Sequence, residues 1–205
     1  MKQVKEYNTG VIESHPWPPF IPANARLLML GTFPPKPNRW SMAFYYPNKI
    51  NDMWRIMGVI FHDDRDYFWI KDEQRFDEGK IKQFLDEKGI AMWDTGMKVR
   101  RLKDNASDKF LEIVEPIDLA KLIDEHPSIQ AVVTAGEKAT GVVAEIAGCT
   151  SPVMGQSVQC KVSGRMLNFY RMPSSSRAYP MSITNKAEFY RRMFHNEGLL
   201  VSLSQ

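Results

Sequence analysis

The chain of 205 residues is 43% hydrophobic and 25% charged, with a formal net charge of +3, an ordinary balance for a soluble globular protein with one sizeable core. No apolar run approaches the roughly 20 residues of a membrane helix, and residues 1–17 lack the apolar centre of a signal peptide. Cys149 and Cys160 show no metal-ligand spacing and are too few for an iron–sulfur cluster, and the four histidines are scattered. A soluble cytoplasmic protein with free thiols, no metal and no cofactor is expected.

Along the chain, "HPWPPFIP" (15–22) reads as an extended segment packed over a sheet. "RLLML" (26–30) predicts a buried strand that stops at Gly31, where "GTFPPKPNRW" places three prolines within four residues. Glycine permits a tight exit, and the prolines stiffen the loop. "NKINDMWRIMGVIF" repeats apolar residues at 50, 53, 54, 57 and 61, the stripe of a helix, with Asn48 as its expected N-cap. "EGKIKQFLDEKG" predicts a helix burying Ile81, Phe84 and Leu85 and ending at Gly89. "GIAMW" (89–93) predicts a second strand, followed by a basic loop, "DTGMKVRRLKDN". "EPIDLAKLIDEHP" predicts a helix with Ile117, Ala120, Leu122 and Ile123 on its buried face. "IQAVVTA" (129–135) predicts a third strand, with "TAGEKATG" as a strand-to-helix turn because it lacks the Gly-Lys-Ser/Thr ending of a phosphate loop. "RMLNFYRM" (165–172) predicts a fourth strand, and "TNKAEFYRRMFHNEG" a basic amphipathic helix ending near Gly198.

Continuous apolar runs are those of parallel strands covered on both faces. Alternating with helices, they predict an α/β fold, a three-layer α/β/α sandwich on a four-stranded, mostly parallel sheet, with residues 1–205 as a single domain. Ligands of such folds bind beyond the carboxyl ends of the strands. Three of the four segments there are rich in basic, hydroxyl or aromatic residues: "GTFPPKPNRW…FYYPN", "DTGMKVRRLKDN" and "PSSSRAYPMS". Residues 161–195 carry seven Lys/Arg against one Glu, residues 24–55 five against one Asp, and residues 96–103 four without an acid. Such blocks fit a nucleic-acid footprint, to which Lys98, Arg100 and Arg101 would contribute. In "FYYPN", aromatic rings offer faces for a base. In "MPSSSRAYP", short hydroxyls and backbone amides suit phosphate.

Taken in order, "HPWPPFIPANARLLMLGTFPP", "FYYPNKINDMW", "GIAMWDT", "VVTAGEKA" and "MPSSSRAYPMSITNKAEFYRRMF" resemble the uracil-DNA glycosylase superfamily, most closely its hypoxanthine-DNA glycosylase-like branch. The resemblance spans residues 15–194. It implies an enzyme that excises a deaminated base, uracil or hypoxanthine, from DNA by hydrolysing the N-glycosidic bond, acting as a monomer without metal. It places Gly31, Thr32, Phe33, Pro34 and Pro35 in the base pocket, joined by Phe44, Tyr45, Asn48 and Asp94. One of Phe33, Phe44 and Tyr45 would stack on the flipped base, and Asp94 would accept an N–H from its edge. Pro173, Ser174, Ser175 and Ser176, with Arg177 and Tyr179, would press on the DNA backbone.

The chain departs from the pattern twice. Thr32 and Phe33 stand where many relatives carry a water-activating Asp or Asn. The hypoxanthine-type branch uses instead an Asn at the start of the following helix, by position Asn51. Met172 stands where some relatives have His, so no imidazolium is available there for the leaving base. These departures keep two further classes in view: a nucleic-acid-binding relative without glycosylase activity, and an unrelated α/β enzyme acting on a small nucleotide.

Overall fold

The computed structural model describes residues 10–102 and 108–200; the end of the basic stretch, residues 103–105, lies outside them. In chain order the elements are β1 (Ile12–Ser14), β2 (Leu27–Gly31), α1 (Met53–His62), β3 (Trp69–Ile70), β4 (Arg75–Phe76), α2 (Glu78–Lys88), β5 (Ile90–Asp94), β6 (Gly96–Arg101), β7 (Leu111–Pro116), α3 (Leu119–Glu125), β8 (Ala131–Ala135), α4 (Glu137–Ala147), β9 (Ser157–Val162), β10 (Arg165–Met172) and α5 (Ile183–Asn196).

The four apolar runs form β2, β5, β8 and β10, and they pair in parallel in the order β5-β2-β8-β10. Successive side chains of a strand point to opposite faces. Leu27, Met29, Ile90, Met92 and Val133 therefore join α1, α2 and α5 in one apolar core, while Leu28, Leu30, Ala91 and Val132 join α3 and α4 in another. All five residues of β2 are buried, as a strand with helices on both sides requires. Burial of side chains such as Met57 and Ile56 on α1 contributes about 1.5–3 kcal/mol each, which makes the two cores the main support of the site.

The sheet has five strands rather than four. β9 adds to β10 in antiparallel pairing at the edge. Its sequence, SVQCKV, alternates exposed and buried positions and so lacks the continuous apolar run by which a covered parallel strand is recognised. The basic segment after β5 is not a loop either. Gly96–Arg101 forms β6, the middle strand of a separate antiparallel sheet ordered β1-β6-β7.

Helix boundaries follow local chemistry. Asp77 caps α2 by accepting the Lys80 amide at 3.0 Å, and Gly89 ends it in the left-handed region at φ 65°. Asn48 does not cap α1. Its carboxamide oxygen takes the Ile50 amide at 3.1 Å, closing a turn one step earlier, while the Asn51 oxygen takes the Met53 amide at 2.9 Å. On α3 the buried face is Leu119, Leu122 and Ile123, and Ala120 is exposed. Residues 15–22 run beside β5, where Phe20 and Met92 exchange backbone hydrogen bonds of 3.1 and 2.9 Å.

Candidate functional site

Parallel register aligns the carboxyl ends of the four strands: Gly31 lies opposite Asp94, and Met172 opposite Ala135. All four residues line one cleft of about 1080 Å³. Residues 31–35, 46–48, 50–51, 135–138 and 171–180 form its walls, with Arg39, Arg101, Asp108, Lys109, Leu111 and Met154. The strand-end loops are thus gathered at one place, as expected for a sheet whose order reverses beside its first parallel strand.

The floor begins at Gly31. A Cβ there would overlap Asp94 Oδ1 and lie 3.2 Å from the Tyr46 hydroxyl. Glycine is therefore required for the Asp94 carboxylate to reach the cleft. The other carboxylate oxygen, Oδ2, accepts from His15 Nε2 at 2.9 Å. His15 Nδ1 lies 2.8 Å from the Trp17 carbonyl, and the ring meets Phe33 edge-on at 5.4 Å. Thr32, itself buried, donates its hydroxyl to Asp108 Oδ2 at 2.8 Å. Asp108 is an exposed residue at the cleft wall, and its carboxyl is raised above the usual aspartate range, first by desolvation. The Thr32 hydrogen bond acts the other way, Asp94 adds like charge, and Lys138 and Arg101 oppose it.

The proline loop is held by its carbonyls. Trp40 Nε1 donates to Pro35 O at 2.6 Å and Arg101 to Pro34 O at 2.8 Å. The Arg101 guanidinium also lies 5.5 Å from the centre of the Phe33 ring and pairs with Glu13 at 2.9 Å.

Opposite the proline loop stands the serine loop, and a buried ion pair fixes it. Lys186 of α5 is 0% exposed, Asp52 is 2% exposed, and they meet at 3.0 Å. Lys186 Nζ also donates to the Ser176 carbonyl at 2.7 Å. The Asp52 amide donates to the Ser175 carbonyl at 2.8 Å, and Asn51 forms an antiparallel bridge with Ser176. Arg177, half-exposed, reaches Asp52 Oδ1 at 3.3 Å. Ser174 and Ser176 cap turns inside the loop through the amides of Ser176 and Ala178.

Of the residues singled out in the sequence, Gly31, Thr32, Phe33, Pro34, Asn48, Asn51, Asp94 and Arg101 line the cleft, as do Pro173, Ser174, Ser175, Ser176, Arg177 and Tyr179. Four do not. Phe44 and Tyr45 are 4% and 1% exposed and belong to the core. Phe44 packs edge-on against Phe20 at 5.3 Å, and the Tyr45 hydroxyl donates to Pro18 O at 2.8 Å. Lys98 and Arg100 stand on β6, paired with Glu115 at 2.6 Å and Glu112 at 2.8 Å. The third aromatic of FYY, Tyr46, faces the cleft instead.

Sequence reasoning also passed over His15, Tyr46, Asp108, Lys138 and Arg171. His15 and Asp108 are 79 and 76 positions from the partners they touch, Asp94 and Thr32, so no local motif joins them. Tyr46 carries two irregularities. Its φ is 52°, a left-handed conformation that bulky residues rarely adopt. Its buried hydroxyl has no hydrogen-bond partner among the described residues.

Among the described residues, no cluster of His, Cys, Asp and Glu could hold a metal, and no helix is long and apolar enough to cross a membrane. Cys149 and Cys160 are free thiols. No protein-family model and no curated protein matches the chain. Among solved structures, the solution NMR structure of a putative uracil DNA glycosylase from Methanosarcina acetivorans superposes with a TM-score of 0.65 at 20% sequence identity, over 92% of this chain and 99% of that one. The chain shares the fold of that protein over nearly the whole length of both.

Proposed function

We propose that the protein is a monofunctional DNA glycosylase. It hydrolyses the N-glycosidic bond of a deaminated base, uracil or hypoxanthine, flipped out of DNA in base excision repair, and it acts as a monomer of one uracil-DNA glycosylase-like domain. The observation that carries this reading is the charge layout of the cleft. Arg39, Lys109, Lys138, Arg171 and Arg177 stand in its walls, while Asp94 and Asp108 stand by the proline loop. Cations suit phosphates of a strand. Carboxylates repel phosphate and accept the N–H groups of a base edge. A free nucleotide would offer few phosphates to so many cations, which disfavours the small-molecule reading.

A base is cut only after leaving the stack, which costs a few kcal/mol. The serine loop, with Arg177, would hold the distorted backbone, and Phe33 would stack on the extruded base. Asp94 Oδ1 would accept a ring N–H, fixed in place by the His15 bond to Oδ2. Asn51 would place the water that captures the oxocarbenium sugar. Its carboxamide is already oriented by the Met53 amide and keeps an acceptor lone pair and its NH₂ group. An oxocarbenium ion is a strong electrophile, so the water needs no early deprotonation.

The test is a nicking assay on labelled duplexes that each hold one uracil, hypoxanthine or xanthine, with alkali added after incubation. Wild type is expected to cleave at least one lesion. Asn51→Ala is expected to lose about 10²-fold or more in rate while binding the same DNA. Absence of cleavage at every lesion, with DNA bound at low salt, overturns the enzyme in favour of a binding relative.

A further inference from the structure

We propose that Ile50 is the wedge that enters the base stack as the target nucleotide leaves it, so that the segment before α1 opens the duplex. This rests on the glycosylase reading above, since a flipped nucleotide is what leaves a gap to fill. Extrusion costs stacking and pairing energy. An apolar side chain pushed into the vacated step recovers dispersion contacts, keeps water out and blocks the return of the base.

Ile50 is 48% exposed. Single exposed apolar side chains are common and by themselves say nothing. The placement of this one is what sets it apart. Among the exposed large apolar side chains of the described residues, Ile50 alone lines the cleft. It also lines a side cavity of about 320 Å³, whose walls include Asn38, Arg39, Lys49 and Gln74. Ile50 is thus a partition. On one side lies the cleft for the target nucleotide, and on the other a cationic, amide-rich recess suited to the phosphate of the next one.

The exposed side chain sits on a fixed backbone. The Ile50 amide donates to Asn48 Oδ1 at 3.1 Å. Before it, the Lys49 carbonyl accepts from the buried Arg55 at 2.9 Å. After it, the Asn51 amide donates to the Asn48 carbonyl at 2.7 Å, and Asn51 bridges to Ser176. The β-branch restricts χ1 as well, so little conformational freedom remains to be lost on insertion. The same bridge brings the segment of Ile50 against the loop of Arg177, a cation for the phosphate beside the opened step.

The other side chains of the cleft are committed or short. Phe33 packs edge-on against His15 and beneath Arg101. Tyr179 donates its hydroxyl to Met154 Sδ at 3.1 Å, and Met172 is fully buried. Ser174 and Ser176 cap turns of their own loop. Ala178 and Pro180, also exposed, carry a methyl group and a ring closed on its own backbone, with less reach than isoleucine.

The test uses duplexes in which 2-aminopurine, fluorescent when unstacked, flanks a uracil or hypoxanthine nucleotide. A 2′-fluoro substituent on that nucleotide destabilises the oxocarbenium ion and keeps the complex intact during the titration. Wild type should raise the fluorescence at saturation. Ile50→Ala should lose most of that rise and, on the unfluorinated duplex, about tenfold or more in single-turnover rate. On single-stranded DNA, which has no duplex to open, its rate should stay within about twofold of wild type. Ile50→Leu, which restores apolar bulk, should recover most of both signals. Met166→Ala, which trims an exposed side chain of β10 outside the cleft, should behave as wild type. Ile50→Ala should keep the wild-type Tm, because the side chain is half-exposed. It should also keep the slope of log affinity against log salt, because no charge is removed. A full fluorescence rise with Ile50→Ala, or an equal loss of rate on duplex and single strand, overturns the wedge and leaves the glycosylase reading intact. No rise with wild type overturns the wedge as well. A rise that depends on Ile50, with no base released from unfluorinated DNA, overturns the enzyme and leaves the wedge in a protein that flips without cutting.

Discussion

Gly31 shows how much of the cleft depends on one missing side chain. Its absent Cβ is the space into which Asp94 Oδ1 projects. Gly31→Ala is expected to push that carboxylate aside at a stability cost of about 1–3 kcal/mol and to lower base excision, with both changes read by urea denaturation and the nicking assay. An unchanged excision rate would separate Asp94 from substrate contact. Tyr46 predicts the opposite sign for stability. A buried hydroxyl without a partner carries a desolvation penalty of about 1–3 kcal/mol, so Tyr46→Phe has no bond to lose. The same denaturation experiment should find the variant as stable as wild type or up to about 1 kcal/mol more stable. A loss of 2 kcal/mol would reveal a partner bridging to the hydroxyl.

At the scale of elements, α5 acts on the cleft through Lys186. The pair with Asp52 ties the helix to the α1 entry, and the second bond of Nζ ties both to Ser176. Lys186→Met leaves the buried Asp52 with the half-exposed Arg177 as its counter-ion at 3.3 Å, so the loss should approach, without exceeding, the roughly 3–5 kcal/mol of a broken buried pair. Adding Asp52→Asn removes the under-compensated charge and should recover much of that stability. It should not recover excision, because the serine loop has lost the bond at Ser176. Thermal unfolding with single-turnover rates checks both, and a fully active double variant would show that the staple positions nothing.

Such long-range pairs are also what the sequence hides. β2, β5, β8 and β10 were legible because a strand covered on both faces has no choice but to be apolar. β9 was not, because an edge strand alternates. β6 looked like a basic loop because Lys98, Arg100 and Arg101 dominate its composition. Their acidic partners Glu115, Glu112 and Glu13 lie on other strands. FYY gave its aromatic character but not its facing: Phe44 and Tyr45 turned to the core and Tyr46 to the cleft. The serine loop and Asn51, singled out from the sequence, line the cleft, whereas His15 and Asp108 became visible only once folding had brought them to Asp94 and Thr32.

On the scale of the whole molecule, the net charge of +3 matters less than its layout. β6 spends its basic residues on ion pairs across the antiparallel sheet, while Arg39, Lys109, Lys138, Arg171 and Arg177 gather at the cleft. Each phosphate that these cations neutralise should contribute about −0.9 to the slope of log affinity against log salt on duplex DNA. Arg177→Ala and Lys138→Ala should each flatten that slope by about one unit, whereas Lys98→Ala should leave it unchanged. Equal effects from Lys98 and Arg177 would place the DNA on the wrong face of the molecule. The measurement that bears most directly on the account is mass-spectrometric detection of the free base and of the abasic strand. A hypoxanthine-containing duplex would be incubated with wild type or with Asn51→Ala. Wild type should yield base and abasic site in equal amounts, and Asn51→Ala neither, although it binds the duplex. Bound but intact DNA with wild type on every lesion tried, or full activity in Asn51→Ala, would contradict it.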